Sequence, residues 1–439
     1  MSRLFGTDGI RGIANEGLTP EIAMHCGNAL SSLKSKAVVV VGRDTRSSGD
    51  MLSLSLAGGA TSGGATVIDL GIVPTAGVAY LTRKFNADFG VVISASHNPN
   101  EYNGIKVFDK NGYKLSEKDE NEIENLMRFH KYAAPGEIGR YIYNSEARWD
   151  YANYLTETSS GDLSGMKIVL DCSNGAAFRI APEVFRRLNA DVVALSCGSS
   201  GCDINLECGS LHPEKLRIAV LEHHADAGFA YDGDADRLVA VDEKGSLVDG
   251  DMLIYMLSVS LQKQKLLRGN KVVGTSHTNM GVQKALAESG ITLLRSDIGD
   301  KYVIEMMLKE NCVIGGEQSG HIILKHHSTT GDGILSSIQV ANLIKREGKT
   351  LSELNAVKLF PQHNINVRVK EKLRILNNEQ LADALESERM KLHGKGRIVL
   401  RASGTEELIR VFAESEDGAL AKSSAERVAA FVRELDELS

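Results

Sequence analysis

DFGVVISASHNPNEYNGIKVF, residues 88–108, begins as a short apolar run of strand length and ends in a polar loop. A run of that kind suits a strand buried on both faces, as parallel sheets require. Pro99 and Gly104 predict irregular backbone between them. A buried strand therefore delivers Ser96, His97 and Asn98 to an exposed loop, with Lys106 just beyond. Ser96 is a nucleophile candidate, although the same three residues also serve as turn formers whose side chains bond local backbone.

Upstream, Pro20–Leu33 reads as a helix, residues 37–41 as a buried strand, residues 51–63 as a helix capped by Asp44–Ser48, and residues 65–70 as a second strand. In the opening string FGTDGIRG, residues 5–12, three glycines let the backbone approach a ligand closely and Arg11 supplies a forked cation, the alternative being a glycine-rich turn with a solvated arginine.

Downstream the layout recurs. Lys167–Asp171, Asp191–Leu195 and Ala227–Tyr231 are strands around a helix at 181–189, and the third strand ends in DGDADR. Strands at 271–274, 291–295 and 312–314, with a helix at 280–290, end in GGEQSGH. Three units with one order of elements predict three similar α/β domains with mixed, mainly parallel sheets around a central cleft. Ligands of such sheets gather beyond the carboxyl ends of the strands. From about Asn364 the pattern changes to a smaller α+β domain with a terminal helix from about Ala419.

Composition sets limits. A chain of 439 residues exceeds one core and divides into three or four units of ~100–150 residues. At 42% hydrophobic, 24% charged and a net charge of −7, it is an ordinary globular protein and no general nucleic-acid binder. No stretch approaches the ~20 apolar residues of a membrane span, and MSRLFGTDG lacks a secretory core, so a cytoplasmic protein without membrane partners is expected. Six cysteines are too few for a disulfide scaffold; Cys197, Cys202, Cys208 and His212 invite a zinc reading, but their spacing lacks the usual paired knuckle.

Asp232, Asp234 and Asp236 alternate along one loop and would repel one another without a cation among them, and hard oxygen ligands suit magnesium. A calcium EF-hand is disfavoured because Arg237 stands where that loop needs glycine. Glu317, Ser319 and His321 can point two hydrogen-bonding groups and an imidazole one way. The pairs His223–His224 and His326–His327 read as surface residues, and TTGDG, residues 329–333, as a turn and cap preceding a helix over 334–344. Arg401, Ser403, Gly404, Thr405 and Arg410 offer what a phosphate dianion needs, or else form a tight hairpin with surface arginines.

The strings SASHNP, DGDADR, GGEQSGH and RASGTE, in this order, resemble the α-D-phosphohexomutase family along essentially the whole chain. LFGTDGIRG, GEQSGH with Gln318, IGDKYV, TTGDG and CGSLHP are most similar to its branch acting on glucosamine phosphates. The resemblance implies an isomerase with domains at 1–152 (phosphoserine loop), 153–252 (metal), 253–363 (sugar) and 364–439 (phosphate). It implies a phosphorylated Ser96 completing one Mg2+ site with Asp232, Asp234 and Asp236, and sugar hydroxyls held by Glu317 and Ser319. The phosphate not reacting would be gripped by Arg401, Ser403, Gly404, Thr405 and Arg410. Arg11, His97, Lys106, Arg237 and His321 would surround the reacting group, with a sugar 1,6-bisphosphate as intermediate and activator. Ala402, Glu407 and Ala76 depart from the family's pattern. The implied partners are sugar phosphates, and the implied state is a monomer or homodimer. Glucose or mannose phosphates, or a non-catalytic sensor on the same scaffold, are the alternatives.

Overall fold

The computed structural model describes residues 3–6, 8–355, 357–402 and 407–437. Apolar strands alternating with helices build three mixed sheets of seven, five and four strands, followed by a three-stranded antiparallel sheet. The first three share one plan. In the first sheet the strands Tyr102–Asp109, Phe89–Ile93, Val38–Arg43 and Thr66–Ile72 lie side by side in that order. In the second the order is Leu238–Asp242, Ala227–Tyr231, Lys167–Asp171, Asp191–Leu195, and in the third Ile322–Leu324, Ile314–Gly316, Lys271–Thr275, Thr292–Ser296. Each sheet thus runs fourth, third, first, second, and its fourth strand returns antiparallel to the third. The Ser96 loop, the Asp232–Asp236 loop and the Glu317 loop all connect the third strand to the fourth. The internal repeat therefore carries the chemistry-bearing residues to equivalent places.

Three expectations change. Residues 102–109 form a strand despite Gly104, because that glycine is sandwiched between neighbours: a Cβ there would meet Ser94 O at 2.5 Å and Ile10 O at 2.9 Å. Gly9–Ile13 is the strand on its other side, paired antiparallel with it, rather than a free turn. The helix expected from residue 51 starts at Gly49, and the Ser48 side chain makes no cap bond; Asp44 is used elsewhere. The cap expected within residues 329–333 is Asp332, which accepts from Leu335 N at 2.9 Å at the start of the helix Gly333–Glu347.

The chain forms two compact units, Met1–His277 with Leu293–Ala356, and Thr278–Thr292 with Val357–Ser439. In the second, Val367, Ile398, Ile409, Val411, Val428 and Val432 form a core between the antiparallel sheet and the helix Gly418–Glu437. The segment 278–292 joins it through Asn279, which bonds Phe360 at both its amide and carbonyl, and through Lys284, paired with Glu416 at 2.6 Å.

Glu388 locks two helices of this unit. It receives two bonds from the Arg427 guanidinium, at 2.8 and 2.7 Å, and one from Lys391 at 2.6 Å. The hydrogen bonds from Arg427 outweigh desolvation and lower its pKa from 4.5 to about 2. A depressed carboxylate stabilises the fold above its unfolded pKa and loses that contribution as pH falls through the folded one. Because Arg427 is half exposed and screened, Glu388→Gln is expected to cost about 1–2 kcal/mol in urea unfolding at pH 7. The difference from the parent should shrink steadily between pH 4.5 and 2; a difference that does not change over that range would refute the assignment.

Candidate active site

Ser96 follows the strand Phe89–Ile93 in a left-handed conformation, φ 54°. Such backbone in a non-glycine residue persists only where the surroundings enforce it. They do so through Arg46, whose side chain donates to the carbonyls of Ser96 (2.9 Å), Asn98 (2.8 Å), Tyr102 (3.0 Å) and Pro99. Arg46 is fully buried and ion-paired at 3.0 Å with Asp44, which in turn accepts from Ser94 Oγ. Ser94 Oγ accepts from Ser96 N at 2.9 Å, and Asn205 Nδ2 adds bonds to the Ser96 and Asn98 carbonyls. The loop is therefore not exposed at its serine: Ser96 is 1% accessible, enclosed by groups from distant sequence.

Its hydroxyl donates to Asp232 Oδ2 at 2.5 Å and lies 3.3 Å from His97 Nδ1. Burial and the nearby Arg237 and Arg11 cations lower the His97 pKa to about 4, so the ring is neutral. Asp232, Asp234 and Asp236 present oxygens within 4.8 Å of one another, all buried. Lys106 reaches Asp234 at 2.9 Å, Asp8 at 3.3 Å and Asp236 at 3.4 Å. Burial works against the Lys106 charge, but these three carboxylates outweigh it and hold the ammonium well above its ordinary pKa. Burial together with the charges of Asp236 and Asp234 pushes Asp232 well above the usual carboxylate range. The donor set fits a hard divalent cation: oxygen ligands only, close together, with Asp234 Oδ1 and Asp236 Oδ1 buried and without hydrogen-bond partners. Among the described residues it is the one such group of three. The competing zinc and calcium readings find no support. Cys197 and Cys202 are exposed, and Glu243, which stands at the twelfth position of an EF-hand loop begun at Asp232, spends its carboxylate on the Ser352 amide and hydroxyl.

A cavity of about 310 Å³ adjoins the cluster, lined by Asp8, Arg11, Asp236, Arg237, Asp300, Glu317, Ser319 and His321. A larger hollow beside Leu4, His25 and Met127 contains no comparable charge cluster, and charge rather than size locates the site. Glu317 accepts from Gly299 N at 3.0 Å, which ties its loop to IGDKYV. Gln318 points instead to Asp249, at 3.2 Å. His321 is buried: its Nε2 accepts from Gly331 N at 3.0 Å and its Nδ1 faces Asp236 at 3.6 Å. Burial opposes its charge, yet Asp236 and Asp300 raise its pKa above the ordinary value.

Sequence reasoning passed over Asp8, Asp44, Arg46, Lys114 and Asp300. Lys114 bridges Asp8 and Asp300, and Arg11 pairs with Asp8. Asp8 and Asp300 lie in the quoted FGTDGIRG and IGDKYV strings, where a signal existed; Lys114 has none. In the second unit, Arg401 and Arg410 are directly opposite one another on paired strands. Like charges so placed repel, and burial with the Arg410 charge lowers the Arg401 pKa. Ser403, Gly404 and Thr405 lie outside the described residues, and Glu407 pairs with Lys372 at 3.4 Å.

Family models described as phosphoglucomutase/phosphomannomutase, alpha/beta/alpha domains I, II and III, match residues 2–133, 149–245 and 249–360, and the C-terminal domain model matches 365–431. The chain belongs to the α-D-phosphohexomutase family. As a phosphohexomutase it is an isomerase, and its similarity is to phosphoglucosamine mutases. That of Thermoanaerobacter sp. (strain X514) is 49% identical, with 95% of this chain and 96% of the relative covered. That of Clostridioides difficile (strain 630) is 45% identical, with 99% of each covered. The fold is shared with a phosphoglucomutase/phosphomannomutase family protein from Burkholderia thailandensis, TM-score 0.83 at 22% identity, covering 99% and 98% of the two chains. It is shared as well with Aspergillus fumigatus N-acetylphosphoglucosamine mutase, solved with GlcNAc-6P and magnesium, TM-score 0.70 at 17% identity, covering 99% and 96%. No helix among the described residues is long and apolar enough to cross a membrane.

Proposed function

We propose that this phosphohexomutase interconverts glucosamine 6-phosphate and glucosamine 1-phosphate through a phosphorylated Ser96. The observation that carries the reading is the approach of the Ser96 hydroxyl to Asp232 at 2.5 Å, beside the buried Lys106 ammonium. A phosphoserine adds about −1.5 to −2 charges, and Lys106, Arg11 and Arg237 are the cations that balance them. Asp232, Asp234, Asp236 and the phosphate on Ser96 would hold one Mg2+, which when bound supplies positive charge to the phosphoryl oxygens. The magnesium and sugar phosphate in the Aspergillus structure support this assignment.

A sugar hydroxyl attacks the phosphorus, its new O–P bond forming as the bond to Ser96 Oγ breaks; the hydroxyl proton leaves and Ser96 regains one. The resulting 1,6-bisphosphate turns over and returns its other phosphate to Ser96, and the same compound reloads a serine that has lost its group. Phosphoryl transfer asks mainly for positioning and charge. Lys106, Arg11 and Arg237 supply the charge, and His97 holds the serine oxygen. His321 is best placed to orient Asp236, with both ring nitrogens engaged. Glu317 and Ser319 face the cavity where sugar hydroxyls would lie. The opposed Arg401 and Arg410, with Ser403, Gly404 and Thr405, are assigned to the phosphate not reacting. Domain limits of 1–152, 153–252, 253–363 and 364–439 belong to the same proposal.

Turnover of glucosamine, glucose and mannose 6-phosphates at matched concentrations tests the substrate. The highest kcat/KM is expected for glucosamine 6-phosphate. Absence of glucosamine 1-phosphate, with glucose phosphates converted well, would overturn the reading.

A further inference from the structure

The second sheet holds a pair of groups that the mutase cycle does not use. The strand Lys167–Asp171 runs into Cys172, fully buried, and the parallel neighbour Asp191–Leu195 ends two residues before Cys197, which is exposed. Asp171 is in register with Leu195. Beyond that point the Cys172 amide donates to Leu195 O at 3.1 Å, and the Cys197 thiol donates to the same oxygen at 3.4 Å. A left-handed turn at Ser196, φ 49°, lies between the strand and Cys197. Both cysteines thus stand just past the same end of two adjacent parallel strands and meet at one carbonyl oxygen, that of Leu195.

We propose that Cys172 and Cys197 form a redox-sensitive dithiol, closed to a disulfide by hydroperoxides and reopened by thiols. Cys197 is the attacking sulfur, being exposed and having its thiol pKa lowered by the neighbouring Cys172. It attacks one peroxide oxygen; the O–O bond breaks, Cys197 becomes a sulfenic acid, and the departing oxygen leaves as water or alcohol after taking a proton. The Cys172 sulfur then displaces the sulfenic oxygen: the S–S bond forms, the S–O bond breaks, and the Cys172 proton leaves with that oxygen as water. Two electrons pass from the sulfur pair to the peroxide. Cys172, beside Cys197 but buried, is the resolving thiol.

The pair is wired to the site by the turn that follows Cys172. Ser173 and Asn174 are both left-handed, at φ 53° and 51°, so the turn has little slack. Ala176 N donates to Gly233 O at 2.7 Å, and a Cβ on Gly175 would come within 2.4 Å of that oxygen. The turn therefore bears directly on the aspartate loop. Asn174 O accepts from Thr45 Oγ1 at 2.5 Å, and Ser173 O accepts from the amide of Asn205, whose side chain holds the Ser96 carbonyl. A new bond at Cys172 pulls on the common support of both loops, and mutase activity falls with oxidation.

The test treats the full-length protein with graded hydrogen peroxide, alkylates free thiols without reductant, maps linked peptides, and assays mutase activity before and after dithiothreitol. The expected result is a Cys172–Cys197 linked peptide, an intact mass lower by two hydrogens, and a several-fold activity loss that dithiothreitol reverses. Cys197→Ser should keep the reduced enzyme's activity and resist the same peroxide dose. Linkage of Cys197 to Cys202 or Cys208 would overturn the proposal, as would sulfinic or sulfonic Cys197 without a linked peptide. Equal peroxide sensitivity of Cys197→Ser, or a disulfide with undiminished activity, would overturn the coupling to the site.

Discussion

Ser96→Ala is expected to lower mutase turnover on the order of 10⁴-fold or more while leaving the melting temperature close to that of the parent. The size follows from removing the atom that carries the transferred group; the cations and sugar-binding residues that remain can position a substrate but have nothing to hand it. The unchanged stability follows from how the loop is held. Arg46 and Asn205 bind its carbonyls and Ser94 Oγ accepts the Ser96 amide, so none of those bonds involves the serine hydroxyl. Alanine also meets the same left-handed backbone as serine does. Intact-mass analysis should find phosphate on the parent and none on the variant. Retention of more than about one part in a hundred of the activity would remove Ser96 from the centre of the mechanism.

Arg46→Met is expected to destabilise the protein by about 3–5 kcal/mol in urea unfolding and to abolish turnover with it. Arg46 and Asp44 are both completely buried at their side chains, so removing the guanidinium leaves a buried carboxylate without its counter-charge and takes a donor away from each of four loop carbonyls. Burial already raises the Asp44 pKa even with Arg46 beside it. Arg46→Lys should recover little, because one ammonium cannot present the planar fork that reaches four carbonyls. A loss under about 1 kcal/mol with activity intact would show that the loop keeps its conformation by other means.

The parts of this architecture that could be read from sequence are those written in local pattern. Apolar runs such as residues 37–41, 167–171 and 227–231 announced buried strands, and their recurrence announced three like sheets. The aspartate loop was legible because three like charges at alternate positions have few uses other than binding a cation. What escaped was set by partners distant in the chain. The strand Tyr102–Asp109 carries buried Asn103 and Lys106 and an interior glycine, so its pattern is polar, and only its neighbours make it a strand. Arg46 looked like part of a helix cap, whereas its hydrogen-bond partners lie some fifty residues on. Ser96 was expected in an exposed loop, but Asp232 and Asn205, more than a hundred residues away, help to enclose it.

The chain crosses between its two compact units three times, near residues 277, 292 and 356, because 278–292 is built into the C-terminal unit. That unit is consequently not a detachable bead on a single string. A protease cut near residue 356 would separate no mass, since Asn279 and Lys284 would still tether the released piece through Phe360 and Glu416. A fragment starting at 357 would lack those anchors altogether. Fragment swapping between relatives must therefore exchange residues 278–292 together with the C-terminal stretch, or graft a half-built domain.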